Sequence, residues 1–280
     1  MDALTFLEPV VRAAAKANPA RPGDYTVDGL LYCGKCHTRK QTRLKAFDGR
    51  VVSCQCRCAR EAYQAEAEAR KRQEEADRLS RLRAVGIANQ RFRNAAFDRD
   101  DGKNPKPMAL LRRYADKWPE MREKNIGLLL YGAPGTGKSY GAACVANALL
   151  EGLTPVLMTN LAAVLNGVSG LSSEERNGYV ADLTRYPLLI LDDFGMERNT
   201  GFALEQVYNV IDARYRSGKP LIVTTNLTVA QLHSPQDIDH ARIYDRVLEM
   251  CVPINFGGSG RRAMYAKQKL RDTSALLGAD

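Results

Sequence analysis

Nine consecutive residues near the middle of the chain have the types and spacing of a nucleotide-binding loop. The run fits the pattern G-x-x-x-x-G-K-[ST] and adds one tyrosine: Gly132, Ala133, Pro134, Gly135, Thr136, Gly137, Lys138, Ser139 and Tyr140. Its glycines allow backbone N–H groups to turn inward around phosphates, and the start of the following helix adds partial positive charge. We expect Lys138 to reach the β- and γ-phosphates of ATP and Ser139 to ligate Mg²⁺.

Two acidic residues at the end of a later apolar segment could complete the magnesium site. The segment LLILDDFG delivers Asp192 and Asp193 to the end of a predicted strand. We expect Asp192 to bind Mg²⁺ together with Ser139, and Asp193 to polarise the water that attacks the γ-phosphate. Many ATPases carry glutamate at the second place, so the shorter Asp193 predicts hydrolysis that is slow or depends on a partner.

Further polar groups follow the next apolar segment, KPLIVTTN. We expect Asn226, at its end, to sense the γ-phosphate, and the alternative is an ordinary strand-ending turn. Four arginines farther along could neutralise transition-state charge across a subunit boundary: Arg242, Arg246, Arg261 and Arg262. Taken singly, each of these arginines also fits an ordinary surface charge.

Five of the seven cysteines lie in one short N-terminal segment: Cys33, Cys36, Cys54, Cys56 and Cys58. Two thiolate pairs at this separation can close a tetrahedral zinc site, and in a small domain the metal replaces a missing core. Four of the five suffice, and the sequence does not choose among the last three. We expect His37 to be a bystander. The alternatives are unligated thiols and a redox-active Cys-x-x-Cys, while the odd cysteine count argues against a disulfide framework.

These groups require a domain that brings the ends of several strands together. From residue 106 to 280, apolar strand-like segments alternate with helical ones. Buried strands separated by helices indicate a parallel sheet covered on both faces. The sequence therefore predicts a three-layer α/β fold of the P-loop NTPase kind over residues 106–280.

Two further regions precede this domain. Residues 1–58 hold a predicted short helix, over residues 4–15, and the cysteine module. Residues 59–105 begin with a segment rich in Ala, Glu and Arg that lacks Pro and Gly up to residue 84. Its propensity and mixed charges predict a long, solvent-facing connecting helix, followed by a linker. We therefore expect a small zinc-binding N-terminal domain joined to the ATPase domain by a charged helix.

Composition and charge narrow the classes of partner that the chain could bind. The formal net charge is +9, which suits a polyanion but does not require one. No apolar run is long enough for a membrane helix, and the N-terminus lacks a signal peptide, so we expect a cytoplasmic protein without membrane contact. No segment combines aromatic and basic residues into an evident stacking platform for single-stranded nucleic acid. Tyr179, Arg185 and Tyr186 are loose candidates for a DNA-facing loop.

The segment from the paired aspartates to TTNL, with the loop before it and ARIYDRVLEM and FGGSGRR after it, resembles bacterial replicative helicase loaders of the DnaC/DnaI type. The resemblance covers residues 90–265. The cysteine module and the charged helix resemble the zinc-bearing N-terminal region of the DnaI-like and phage-encoded members. Transposition helper ATPases of the IstB type share a very similar core but usually lack such a module.

The resemblance implies an AAA+ ATPase that docks onto a hexameric replicative helicase and helps it receive single-stranded DNA. It implies self-association through the ATPase domain, with Asn226 as first sensor, Arg242 as the finger and Arg261 as second sensor. It also implies that the usual helical lid is absent or reduced. The rival functions are a transposition helper that binds double-stranded DNA and a non-hydrolysing adaptor whose nucleotide pocket is structural.

Overall fold

The computed structural model describes residues 19–44, 49–195, 200–235, 237–258, 269–271 and 273–274. The predicted helix over residues 4–15 and the arginines Arg261 and Arg262 lie outside the described residues. The chain divides into two compact units, and the division falls between Asp77 and Arg78.

The first unit is built from two short antiparallel hairpins. Strand β1 (Tyr25–Val27) pairs with β2 (Leu30–Tyr32), and β3 (Gln41–Arg43) pairs with β4 (Val51–Ser53). Among the described residues of this unit, the buried apolar side chains are Leu30, Cys33 and Cys56. So small a core does not hold a fold by apolar burial alone, and the cysteine cluster must contribute.

A buried ion pair also ties the first unit together. The Lys40 ammonium lies 2.6 Å from the Asp24 carboxylate, and their side chains are only 2% and 5% exposed. Lys40 also donates to the carbonyl of Pro19 at 2.6 Å. The hydrogen bond from Lys40 is the main reason that the pKa of Asp24 falls to about 2.

Helix α1 (Arg57–Gly86) crosses the division between the units. Its only buried residue is Gly86, and three exposed Arg–Glu pairs run along it at i,i+4 spacing. The sequence predicted a long, charged, solvent-facing helix here, and the structure confirms it. Such exposed pairs add little stability each, so the helix depends mainly on its favourable propensities.

The second unit contains eight more helices and five strands among its described residues. They are α2 (Pro105–Asp116), α3 (Trp118–Glu123), β5 (Gly127–Tyr131), α4 (Lys138–Glu151), β6 (Val156–Asn160), α5 (Leu161–Val168), α6 (Ser173–Arg185), β7 (Leu188–Phe194), α7 (Gly201–Arg216), β8 (Leu221–Thr225), α8 (Val229–His233), α9 (Ile238–Met250) and β9 (Cys251–Asn255). Two 3-10 turns, Gln90–Phe92 and Phe97–Arg99, precede α2.

The five strands form one parallel sheet in the order β6-β7-β8-β5-β9. Successive strand residues point to opposite faces, so Leu128 and Leu130 pack under α2 and α4 while Leu129 packs with α5, α7 and α9. The predicted three-layer α/β fold with a parallel sheet is confirmed. Strand order brings the ends of β5, β8 and β7 side by side, which is where α/β sheets bind ligands.

The segment between α1 and α2 packs onto the sheet. Phe92 and Phe97 are partly buried against the core, and each belongs to a 3-10 turn. The sequence predicted a linker here because the segment is rich in turn residues. Two aromatic side chains give it a packed position that the turn residues alone do not predict.

Candidate functional site

The predicted nucleotide-binding loop connects β5 to α4. Gly132, Gly135 and Gly137 have φ angles of +144°, +80° and +103°, which side-chain-bearing residues rarely adopt. A Cβ on Gly132 would also lie 2.3 Å from the carbonyl oxygen of Phe256. These glycines let the loop curl back before Lys138 starts α4, so the helix N-terminus follows the loop directly.

Lys138 lies inside this loop and is only 5% exposed. Its ammonium donates to the carbonyls of Gly132 at 2.8 Å and Ala133 at 2.9 Å, and to the side-chain oxygen of Asn226 at 2.8 Å. Asn226 follows β8, so this contact joins the loop to the neighbouring strand. The structure thus brings together two residues that the sequence assigned separately to the γ-phosphate.

The two aspartates occupy different environments at the end of β7. Asp192 is half-buried, and its carboxylate accepts a hydrogen bond of 2.5 Å from the Thr224 hydroxyl. Asp193 is exposed and has a φ of +56°, at an irregularity in the register between β7 and β8. Its backbone N–H donates to the same Thr224 oxygen at 3.0 Å. This left-handed backbone is rare for a residue with a side chain and interrupts the regular extended conformation of β7 at Asp193.

Sequence reasoning missed Thr224. This fully buried side chain on β8 contacts both aspartates, and so sets their positions relative to each other. The only available signal was its place two residues before Asn226, in the TTN that ends the strand. That signal is weak because threonine is common in strands for reasons of packing.

Sequence reasoning also missed Asn104, which precedes α2. Its side chain is 9% exposed and donates to the carbonyl of Thr136 at 2.8 Å. The Thr136 hydroxyl in turn donates to the carbonyl of Ala133 at 2.9 Å, and the Tyr140 hydroxyl to that of Ala96 at 2.9 Å. The segment before α2 therefore braces the loop from outside, while Ser139 is half-buried in the first turn of α4.

The two described arginines of the finger hypothesis differ in their contacts. Arg246 lies 2.9 Å from Asp212, and its guanidinium lies over the Tyr215 ring at 4.4 Å from the ring centroid. Arg242 is exposed on α9 and lines two open cavities, of about 170 Å³ and about 360 Å³. Arg246 is held within its own unit, whereas Arg242 is exposed.

The three residues suggested for a DNA-facing loop lie on α6 or directly after it. Tyr179 and Arg185 are on α6, where Tyr179 is half-buried against the core and Arg185 pairs with Asp182 at 3.0 Å. The Tyr186 carbonyl accepts a hydrogen bond of 2.8 Å from Arg214. Their contacts are those of helix and loop packing.

The sulfur atoms of four cysteines meet in the first unit, all within 4.8 Å of one another: Cys33, Cys36, Cys56 and Cys58. The Cys58 sulfur lies 3.6 Å from that of Cys33 and 3.4 Å from that of Cys56. Four thiolates around zinc at about 2.3 Å stand about 3.8 Å apart, so the cluster fits the ion. Cys54 lies outside this group and contacts the Arg39 carbonyl at 3.6 Å.

The electrostatics of the cluster favour a cation. A hydrogen bond from the Thr38 hydroxyl, at 3.1 Å, lowers the pKa of Cys36 to about 5. The neighbouring cysteines Cys56, Cys33 and Cys36, in that order of effect, raise the pKa of Cys58 to about 12. Because one thiol resists ionisation beside the others, a bound cation is what would allow all four to be thiolates.

With both sites described, comparison with known proteins places the chain. A model of the family described as IstB-like ATP binding protein matches residues 60–270. The chain belongs to this family. As an IstB-like ATP-binding protein, it carries its four-thiol cluster before the matched segment begins. Among the described residues, no helix has the length and apolar composition to cross a membrane.

Curated relatives of this IstB-like protein include an insertion-sequence protein and a helicase loader. An ATP-binding protein of an insertion sequence from Mycobacterium tuberculosis is 32% identical over 160 residues, or 54% of this chain and 62% of the relative. The replicative helicase loader DnaI of Bacillus subtilis is 27% identical over 184 residues, or 60% of this chain and 58% of the relative. The matches thus span less than two thirds of these relatives.

A solved structure shows the shared fold. The crystal structure of DnaI superposes with a TM-score of 0.53 at 23% identity, covering 65% of this chain and 99% of that one. The resemblance to loaders of the DnaC/DnaI type, with an IstB-like core, is confirmed at the level of family and fold.

Proposed function

We propose that this chain is an ATP-dependent loader that binds a hexameric replicative helicase and helps place it on single-stranded DNA. The observation that carries the proposal is the pairing of an IstB-like ATPase unit, similar to DnaI, with a separate four-cysteine unit. A compact zinc-held unit outside the ATPase can dock onto a protein without disturbing the nucleotide site. In this proposal residues 1–58 dock, residues 59–105 connect and residues 106–280 hydrolyse ATP.

The proposal gives each side chain of the nucleotide site a role. The loop from Gly132 to Tyr140 holds the phosphates, and Ser139 and Asp192 hold Mg²⁺. Mg²⁺ held there would supply positive charge against the negative charge that develops on the phosphates. Asp193 orients water, while Thr224 holds the Asp192 carboxylate and the Asp193 backbone N–H.

ATP acts as an assembly switch in this proposal. The Lys138 ammonium donates to the Asn226 side-chain oxygen at 2.8 Å, so a γ-phosphate bound by Lys138 would also lie beside Asn226, and loop and strand would sense it together. Arg242 of a neighbouring subunit then neutralises the phosphate charge. Arg261 is proposed as a second sensor, by family resemblance, and lies outside the described residues.

Size-exclusion chromatography with light scattering tests the loader function. The full chain is mixed with its cognate hexameric helicase, with ATP and without it. We expect a stable complex that is lost when residues 1–77 are deleted, while that variant retains ATP binding. No complex in any nucleotide state would contradict the loader function.

A second function has its own support, since the relative of highest identity reported above belongs to an insertion sequence. In that case the chain is a transposition helper that binds double-stranded DNA. Phosphate release separates the possibilities. Stimulation by single-stranded DNA or helicase supports the loader, and stimulation by duplex DNA supports the helper. No turnover under any condition supports a non-hydrolysing adaptor.

A further inference from the structure

Two tyrosines stack across the first hairpin of the four-cysteine unit. Tyr25 on β1 and Tyr32 on β2 are direct cross-strand partners. Their ring centroids are 5.7 Å apart and their planes differ by 18°. Cross-strand aromatic pairs stabilise hairpins, so this contact alone indicates no more than local structure.

Two further flat side chains extend the pair. The Arg39 guanidinium lies 6.0 Å from the Tyr32 ring centroid, and its Nε donates to the Tyr32 hydroxyl at 2.9 Å. The His37 ring centroid is 5.9 Å from that of Tyr25, and its Nδ1 lies 3.2 Å from the Tyr25 hydroxyl. We call these four side chains the Tyr25 surface: Tyr25, Tyr32, His37 and Arg39.

The Tyr25 surface faces water. Tyr25 is 39% exposed, His37 and Arg39 are exposed, and Tyr32 is half-buried. The hydrogen bonds fix the side chains in place, so a ligand would lose little side-chain entropy on ordering them. A hairpin of three-residue strands does not need an exposed, ordered set of rings for its own stability.

The described part of this N-terminal segment exposes more basic than acidic side chains. Six basic side chains are exposed in the described part of residues 19–58: Arg21, Lys35, Arg39, Arg43, Arg50 and Arg57. Over the same residues the only exposed acidic side chain is Asp28, because Asp24 is consumed in its buried pair with Lys40. Four thiolates around Zn²⁺ would add two negative charges, but Cys33 and Cys56 are buried and the other two are half-buried.

We propose that the Tyr25 surface binds single-stranded nucleic acid, with bases stacking on the tyrosine rings and phosphates meeting Arg39 and the surrounding cations. Aromatic rings within a basic surface are the recurring means of binding unpaired strands, because every base offers a face for stacking. Duplex bases are already stacked on each other, so the surface discriminates against duplex. The proposal deepens the loader function and rests on it, since that function already includes single-stranded DNA; what it adds is a binding site on the four-cysteine unit, in which neither ATP nor a helicase takes part.

Fluorescence anisotropy tests the site, with the zinc-loaded full chain and a short fluorescein-labelled oligothymidylate at several salt concentrations. We expect Tyr25→Ala and Tyr32→Ala each to weaken binding about 5- to 100-fold. Tyr25→Phe should bind nearly as well as the unchanged chain, because it keeps the ring and loses only the hydroxyl. Arg39→Ala should weaken binding and lower the salt dependence by about one phosphate contact. Labelled RNA and duplex arms distinguish the strand type.

The matched control is Tyr63→Ala, because Tyr63 is 62% exposed but lies on α1 outside the Tyr25 surface. Its affinity should be unchanged, and zinc content should equal that of the unchanged chain in every variant. The proposal would be overturned if the zinc-loaded Tyr25→Ala and Tyr32→Ala variants bound oligothymidylate as tightly as the unchanged chain. Variants that keep this affinity but no longer bind the helicase would also overturn it, because the surface would then be a docking site for a protein. Failure to bind any helicase leaves the nucleic-acid result standing.

Discussion

At the scale of single residues, Asp193 and Thr224 show how the acidic pair is held. Asp193 adopts a left-handed conformation inside a strand, which costs roughly 1 kcal/mol or more. Thr224 offsets this cost because its oxygen accepts from the Asp193 N–H while its hydroxyl donates to Asp192. One hydroxyl therefore holds the carboxylate of Asp192 and the backbone of Asp193.

Replacing Thr224 with Val should slow ATP hydrolysis about tenfold or more, because a hydrogen bond to a charged group is lost. The affinity for nucleotide without Mg²⁺ should stay the same. Steady-state phosphate release and nucleotide titration measure the two effects.

The control for Thr224→Val is Thr225→Val. Thr225 is also buried, but its hydroxyl donates to the Phe194 carbonyl instead of to a carboxylate. It should lower stability and leave hydrolysis per folded molecule close to normal. Unaltered hydrolysis in Thr224→Val would show that the two aspartates are positioned by other contacts.

At the scale of elements, a buried cation holds the loops that enter β7 and β8. Arg214 on α7 is fully buried, and burial lowers its pKa to about 10. Its guanidinium donates to the carbonyls of Tyr186 at 2.8 Å, Pro187 at 2.9 Å and Pro220 at 3.1 Å. Both strands carry site residues at their C-terminal ends, whereas Arg214 binds the loops at their N-terminal ends. Arg214 therefore supports the site from the opposite end of the two strands.

Arg214→Met should lower the free energy of unfolding by about 3 kcal/mol or more, because several buried carbonyls lose their donor. Urea unfolding measures this loss. Arg216→Met is the matched control on the same helix, since the Arg216 side chain is 73% exposed in its pair with Asp212. That change should cost less than about 1 kcal/mol. Equal costs for the two variants would mean that the carbonyls find other partners.

At the scale of the whole molecule, the two units should depend on different ligands. We expect a zinc chelator to unfold the four-cysteine unit, because its described apolar core is only Leu30, Cys33 and Cys56. The ATPase unit should keep nucleotide binding. Limited proteolysis and nucleotide titration after chelation measure the two responses.

Single cysteine variants test the ligand set. Cys56→Ser should lose zinc, whereas Cys54→Ser should keep one ion per chain, because the Cys54 sulfur lies outside the cluster. Zinc loss from Cys54→Ser alone would contradict the proposed set.

Assembly gives a second prediction at this scale. Arg242→Ala and Lys138→Ala should each abolish most hydrolysis, for different reasons. Mixing the two variants should restore part of the activity if Arg242 acts across a subunit boundary, because some interfaces then pair an intact loop with an intact Arg242. Phosphate release from the mixture measures this, and each variant mixed with unchanged chain is the reference. No recovery at any ratio would place the action of Arg242 within its own chain.

The features that could be predicted from the sequence are those that depend on residues close together in the chain. The nucleotide-binding loop follows from a short run of glycines whose positive φ angles are a local property. The alternation of apolar strands and helices predicted the layered sheet, because burial patterns are written along each element.

Contacts between residues far apart in sequence became known only from the tertiary structure. It selected Cys56 and Cys58 from the three cysteines that the spacing left equivalent, and brought them together with Cys33 and Cys36. It held Arg246 against Asp212 and left Arg242 exposed. It also joined Thr224 to the aspartates and assembled the Tyr25 surface from scattered residues. These outcomes depend on strand order and on which side chains meet, and neither is encoded in the local conformation of any short segment.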